Sequence, residues 1–137
     1  MLDVFNKEKR SWIMARVKNK DTKPEVKVRS VVHRLGYRFR KNRTDLPGRP
    51  DIVLPRHRKV IFVHGCFWHG HPNCPRAARP SSNEAFWRKK LNANIVRDRK
   101  NIHLLREQGW RVMVLWECRM RDEKALLNRI KTFLKEQ

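Results

Sequence analysis

The chain has 137 residues, with 34 Lys and Arg against 13 Asp and Glu and a formal charge of +21. A chain of this size supports one compact domain with one modest core, and so much positive charge makes sense opposite a polyanion, nucleic acid first. Five Trp, six Phe and regular apolar periodicity exclude a disordered chain, and the longest apolar run, Val112 to Trp116, is too short for a membrane helix.

No signal peptide is legible, and three cysteines cannot close a disulfide set. Metal-bound thiolates in an intracellular, cytoplasmic protein fit better. No repeat or low-complexity linker divides the chain, so residues 1–137 read as one domain, with 1–20 as an arm or helix ahead of it.

Lys7 to Lys18 is weakly amphipathic, with Ile13, Met14 and Val17 set among cations. Thr22 to Glu25 forms a Thr-x-x-Glu capping box with Pro24 in the first turn. Val28, Val31, Val32 and Leu35 then recur at helical spacing, and Gly36 supplies the stop. Tyr37 to Arg40 reads as a short strand. A polar loop ending in Leu46-Pro47-Gly48-Arg49-Pro50 leads to two apolar runs, Ile52 to Leu54 and Val60 to Val63.

Pro55 to Lys59 leaves no room for a crossover helix, so those two runs pair antiparallel. With Leu54 opposite Val60, Asp51 stands opposite Val63 and beside His64. From Glu84 to Gln108 the apolar period is helical, through Trp87, Leu91, Ile95, Ile102 and Leu105. Lys90, Asn94, Arg97 and Asn101 form a polar stripe along it. Asp98, between Ile95 and Ile102, reads as a buried partner of an Arg. Trp110 to Glu117 is a strand whose continuous apolar stretch suggests burial on both faces. Asp122 caps a last helix facing the sheet with Leu126, Ile130, Phe133 and Leu134. The order α-α-β-β-β-α-β-α predicts an α/β sandwich, a three-strand meander with a fourth strand added after a crossover helix.

Two constellations carry chemistry. Cys66, His69, His71, Cys74 and Cys118 offer the thiolate and imidazole ligands of structural zinc. Three cysteines leave one place for a histidine, and spacing does not choose between His69 and His71. Glu117, beside Cys118, is either a support to that cluster or a solvated strand end. Asp51, His64 and the spare histidine suit phosphodiester hydrolysis, the carboxylate holding Mg²⁺ and the imidazoles moving protons near neutral pH.

His64-Gly65-Cys66-Phe67-Trp68-His69-Gly70-His71 resembles the signature of the very short patch repair (Vsr) mismatch endonucleases. The similarity extends over Arg10-Ser11, Met14, Asp21-Thr22, Glu25 and Leu46-Pro47-Gly48-Arg49-Pro50-Asp51. It continues through Asn83, Phe86-Trp87, Arg97-Asp98-Arg99 and Gly109-Trp110-Arg111-Val112 to Trp116-Glu117-Cys118.

The resemblance implies a restriction-endonuclease-like fold, a mixed four-stranded sheet flanked by helices with a structural zinc site. It implies Mg²⁺-dependent nicking of one strand, 5′ to the thymine of a T:G mismatch. The implied protein is a monomer acting on double-stranded DNA, with mismatch-repair proteins as partners. By motif position, Asp51 is the Mg²⁺ ligand together with the main-chain carbonyl of Val63. His69 and His64 are the proton-transfer pair, with His69 the base, and Glu25 assists. His71 joins Cys66, Cys74 and Cys118 on zinc.

Phe67, Trp68 and Trp87 are implied to wedge between bases, with Lys90 and Asn94 near the mismatched pair and Met14 and Val17 in the minor groove. The chain departs from the better-known members at Val63, where they carry Thr, and by one extra residue between His71 and Cys74. A zinc protein that binds nucleic acid without cutting it, and a nuclease of the same fold with another substrate, are the alternatives.

Overall fold

A computed structural model describes residues 22–136; the arm with Met14 and Val17 lies outside the described residues. Helix α1 (Lys23–Arg34) starts where the capping box places it, the Thr22 hydroxyl accepting the Glu25 N–H at 3.4 Å. It buries Val28, Val31 and Val32. The first strand, β1 (Arg40–Lys41), is shorter and later than the Tyr37 to Arg40 expected. Strands β2 (Ile52–Leu54) and β3 (Lys59–His64) follow, then α2 (Glu84–Glu107), β4 (Arg111–Trp116) and α3 (Glu123–Lys135). Asp122 caps α3 as expected, accepting the Ala125 N–H at 3.0 Å.

The four strands lie in chain order, β1-β2-β3 antiparallel and β3-β4 parallel, so the meander plus one crossover strand is what forms. The β2–β3 register differs from expectation by one residue: Leu54 pairs with Lys59 and Ile52 with Ile61. Arg58 closes the connection in the left-handed conformation, φ 55°, so pairing resumes at Lys59 rather than Val60.

Alternation along each strand sorts side chains to two faces. Ile52, Leu54, Ile61, Met113 and Leu115 pack under α1 and α3. Val53, Val60, Phe62, Val112 and Val114 pack with Leu105 of α2 and with Trp110. The result is a sheet between helical layers. The face of β4 toward α2 is only half-buried at Val112, Val114 and Trp116, so β4 is not buried on both sides as its apolar run suggested. Lys59 is buried instead, its Nζ donating to the carbonyls of Phe133 (2.7 Å), Leu134 (3.0 Å) and Glu136, where it ends α3. Among the described residues no helix is long and apolar enough to cross a membrane.

Candidate active site and metal cluster

The parity that sends Val53, Val60 and Phe62 toward α2 sends Asp51, His64 and Trp116 the same way, at one end of the sheet. Asp51 and His64 meet in a cavity of about 710 Å³ lined also by Glu25, Gly48, Arg49, Val63, His69, Asp98, Asn101 and Glu117. Although Asp51 is out of the expected register, its Oδ2 accepts the Val63 N–H at 2.6 Å, so the carboxylate still reaches the main chain before His64. Glu25 is 5% exposed and turns its carboxyl to Asp51. Burial pushes the Asp51 carboxyl up to about 7; the Val63 N–H opposes the shift, the negative charge of Glu25 adds to it, and His69 opposes it.

After β3 the chain turns back on itself, with His69 N–H donating to the Gly65 carbonyl at 3.1 Å and His71 N–H to the Cys66 carbonyl at 2.9 Å. Gly70 (φ +62°) makes this loop possible, since a Cβ there would stand 2.5 Å from Ile95 Cδ1 on α2. The turn lays the His69 ring on His64, centroids 3.8 Å apart and planes 6° from parallel. His69 Nδ1 is 2.7 Å from Asp98 Oδ2. This corrects the expected Arg partner of Asp98: the acid holds the imidazole of His69.

His64 is 5% exposed, and its Nδ1 has no hydrogen-bond partner among the described residues. Burial drives its pKa down to about 3, the neighbouring His69 adding to the shift and Asp98 opposing it, so the ring is neutral at physiological pH. The arrangement therefore offers a buried carboxylate, a neutral imidazole, and a second imidazole fixed by an acid, which together can bind a cation and move protons.

The same turn builds the second cluster. Cys66, His71, Cys74 and Cys118 bring their ligand atoms within 4.8 Å of one another. His71, not His69, is the histidine among the thiols, as the family resemblance implies and spacing left open. Between His71 and Cys74, Asn73 takes the left-handed conformation at φ 57°, and the longer spacing still brings Cys74 to the cluster. Zinc bonds of ~2.3 Å to sulfur and ~2.0 Å to nitrogen give tetrahedral S···N edges of about 3.5 Å; Cys118 Sγ and His71 Nδ1 are 3.4 Å apart. The donor set fits a thiophilic ion such as zinc. Without one, burial pushes the Cys66 thiol up to about 12.

The two clusters share walls. Trp116 stacks on His71 with centroids 4.1 Å apart and meets His64 edge-on at 5.2 Å. Glu117 accepts the Cys66 N–H at 3.3 Å while lining the candidate cavity, so its carboxylate is not a solvated strand end.

Phe67, Trp68 and Trp87 form one aromatic group, with Phe67 edge-on to both indoles at 5.1 and 5.3 Å. Trp87 is 2% exposed beneath the half-buried Phe67 and Trp68, so any aromatic surface offered to a ligand here belongs to the upper two. Asn94 donates to the Trp68 carbonyl at 3.0 Å and thereby braces the loop. Lys90 is half-buried one helical turn before it. Asp98 is the cavity residue whose partner sequence reasoning misassigned. Its signal was its place four residues after Asn94 and three before Asn101, on the polar side of α2.

The profile of the DNA mismatch endonuclease Vsr family matches residues 2–76. The type II nicking enzyme V.XorIIP of Xanthomonas oryzae pv. oryzae is 47% identical over 134 residues, covering 98% of each chain. V.NmeAIP of Neisseria meningitidis serogroup A is 41% identical over 99% of this chain and 96% of its own. The DNA mismatch endonuclease Vsr of Escherichia coli K12 is 42% identical over 92% of this chain and 80% of its own. With more than half the chain matched to the family and relatives aligned nearly end to end, the chain belongs to the Vsr family of DNA mismatch endonucleases and is itself a DNA endonuclease.

Proposed function

We propose that this endonuclease nicks one strand of duplex DNA 5′ to the thymine of a T:G mismatch, with Mg²⁺ at the catalytic cavity and Zn²⁺ in the Cys-His cluster. The observation that carries the reading is the convergence of Asp51, His64 and His69 on one cavity, with Asp98 holding His69. The fold is assigned to the restriction-endonuclease-like class on the order of its strands, and residues 1–137 to one mismatch-endonuclease domain acting as a monomer.

The oxygens of Asp51, the Val63 carbonyl and neighbouring Glu25 are a hard donor set that suits Mg²⁺. Bound there, Mg²⁺ would neutralise charge developing on the phosphate and orient a water. Asp98 accepts the Nδ1–H of His69 and leaves Nε2 as the basic nitrogen, which would take the proton of the attacking water. His64, stacked on His69, is the second member of the proton-transfer pair; neutral in the free protein, it would take up a proton beside the incoming phosphate before giving it to the leaving oxygen. Phe67 and Trp68, backed by Trp87, form a wedge for a base step, and unstacking costs least at a mismatch. Lys90 and Asn94 stand beside that wedge, and Met14 and Val17 are assigned to the minor groove.

The test is incubation with T:G, T:A and single-stranded substrates in Mg²⁺ or EDTA. Nicking of T:G alone, lost in Asp51→Ala with zinc content and DNA binding intact, supports the proposal. Binding without cleavage under any divalent metal overturns the catalytic reading, and equal cleavage of T:A duplex overturns the mismatch assignment.

A further inference from the structure

The catalytic cavity is an anionic recess in a strongly cationic chain. Among the described residues four carboxylates line it, those of Glu25, Asp51, Asp98 and Glu117, and Arg49 is the one Lys or Arg. Most of the acids are occupied: Asp51 by the Val63 N–H, Asp98 by His69, Glu117 by the Cys66 N–H. Arg49 makes no side-chain hydrogen bond or ion pair with any described residue, and it is exposed at the cavity.

Its backbone is held in an uncommon conformation to achieve this. Arg49 has φ 49°, its N–H donates to the Leu46 carbonyl at 3.1 Å, and Gly48 before it has φ +76°. Gly48 is seated so closely on α2 and β3 that a Cβ would lie 3.0 Å from Asn101 Cβ and 3.1 Å from the Phe62 ring. A non-glycine residue in the left-handed region carries a conformational cost, and such costs concentrate where they place a functional group. Here the turn holds a planar guanidinium, the group best matched to two phosphate oxygens, two residues ahead of Asp51.

We propose that Arg49 binds a phosphate of the cleaved strand at the mouth of the catalytic cavity, and so sets which phosphodiester reaches Asp51 and His69. The inference rests on the reading of this cavity as the cleavage site. With no side-chain partner among the described residues, the guanidinium is left to an incoming anion.

The test uses the full chain and T:G duplexes carrying one neutral methylphosphonate linkage at a time across the nick region. Binding is measured in EDTA, so that the outcome does not depend on cleavage. Arg49→Asn removes the guanidinium while Asn tolerates the left-handed backbone, and Arg49→Lys keeps the charge without the fork; melting curves check that both fold. One linkage should weaken binding to the native chain by roughly 10- to 100-fold, and the same linkage should cost Arg49→Asn nothing further. Arg49→Lys should restore part of the affinity. Losses that multiply independently at every linkage overturn the proposal. A native chain that binds and shows this coupling but never nicks would leave the Arg49 contact standing and sink the catalytic reading instead.

Discussion

With its carboxyl held at about 7 by burial and by Glu25, Asp51 makes folding depend on pH in the chelated protein. Below its ordinary value of 3.8 the folded and unfolded chains both hold the proton. Above it the unfolded chain releases the proton first, so stability falls with rising pH until about 7 and is level beyond. Three units correspond to about 4 kcal/mol as an upper figure. His64 runs the other way: with a folded value of about 3 against 6.5, it supports the fold above 6.5 and loses that support as pH falls toward 3. Between 3.8 and 6.5 the two slopes oppose each other. Asp51→Asn, which keeps an acceptor for the Val63 N–H, should therefore melt higher than the native chain at pH 8 in chelator and match it at pH 3.5. Its melting temperature should climb from pH 4 to 7, where that of the native chain stays nearly flat. Calorimetry across pH reads both. Asp98 calls for a kinetic measurement. Asp98→Asn preserves shape but cannot hold His69 with a charge, so single-turnover nicking should slow by roughly 10²-fold or more at unchanged DNA affinity.

At the scale of elements, the return loop from Gly65 to Cys74 and the end of β4 are joined through the Cys66, His71, Cys74 and Cys118 cluster. The same loop carries His69, so loss of the ion should loosen the catalytic pair along with the fold. Structural zinc contributes ~10–16 kcal/mol of apparent binding energy in small peptides. Here two packed faces of the sheet lie outside the cluster, so chelation or Cys118→Ser should lower the melting temperature by more than ~10 °C rather than unfold the chain outright. Nicking should be lost together with the exchange protection of Gly65 to Gly70. How much of this was legible in sequence follows from the range of the forces involved. Capping at Thr22 and Asp122, the helical period of α2 and the short apolar runs of β2 and β3 are local signals, and each marks an element that forms. The β2–β3 register rested on the conformation of Arg58, which periodicity does not encode, and it came out one residue off. Asp51 nevertheless reaches the Val63 N–H, because a side chain spans the one-residue difference. The pairing of Asp98 with His69 joins residues 29 apart in sequence, through a turn and a helix, and only the folded geometry reveals it.

At the scale of the molecule, charge is divided by function. Carboxylates gather in the candidate recess, while Arg38, Arg40, Lys41, Arg88, Lys89, Arg97, Arg99 and Lys100 stand exposed outside it. A duplex bound over the cavity would meet four carboxylates of the described residues within it and would draw its grip from cations elsewhere. Binding should be dominated by counterion release, with log affinity falling linearly in log salt. If ~6–10 phosphates are neutralised, the slope should lie between about −5 and −9, and affinity should drop ~10³–10⁵-fold between 50 and 200 mM salt. On the proposed wedging by Phe67 and Trp68, which would read stacking rather than charge, T:G and T:A duplexes should share that slope and differ by an offset. Fluorescence anisotropy titrations at several salt concentrations measure slope and offset together. A nearly flat salt response would show that the +21 charge serves something other than the grip on DNA.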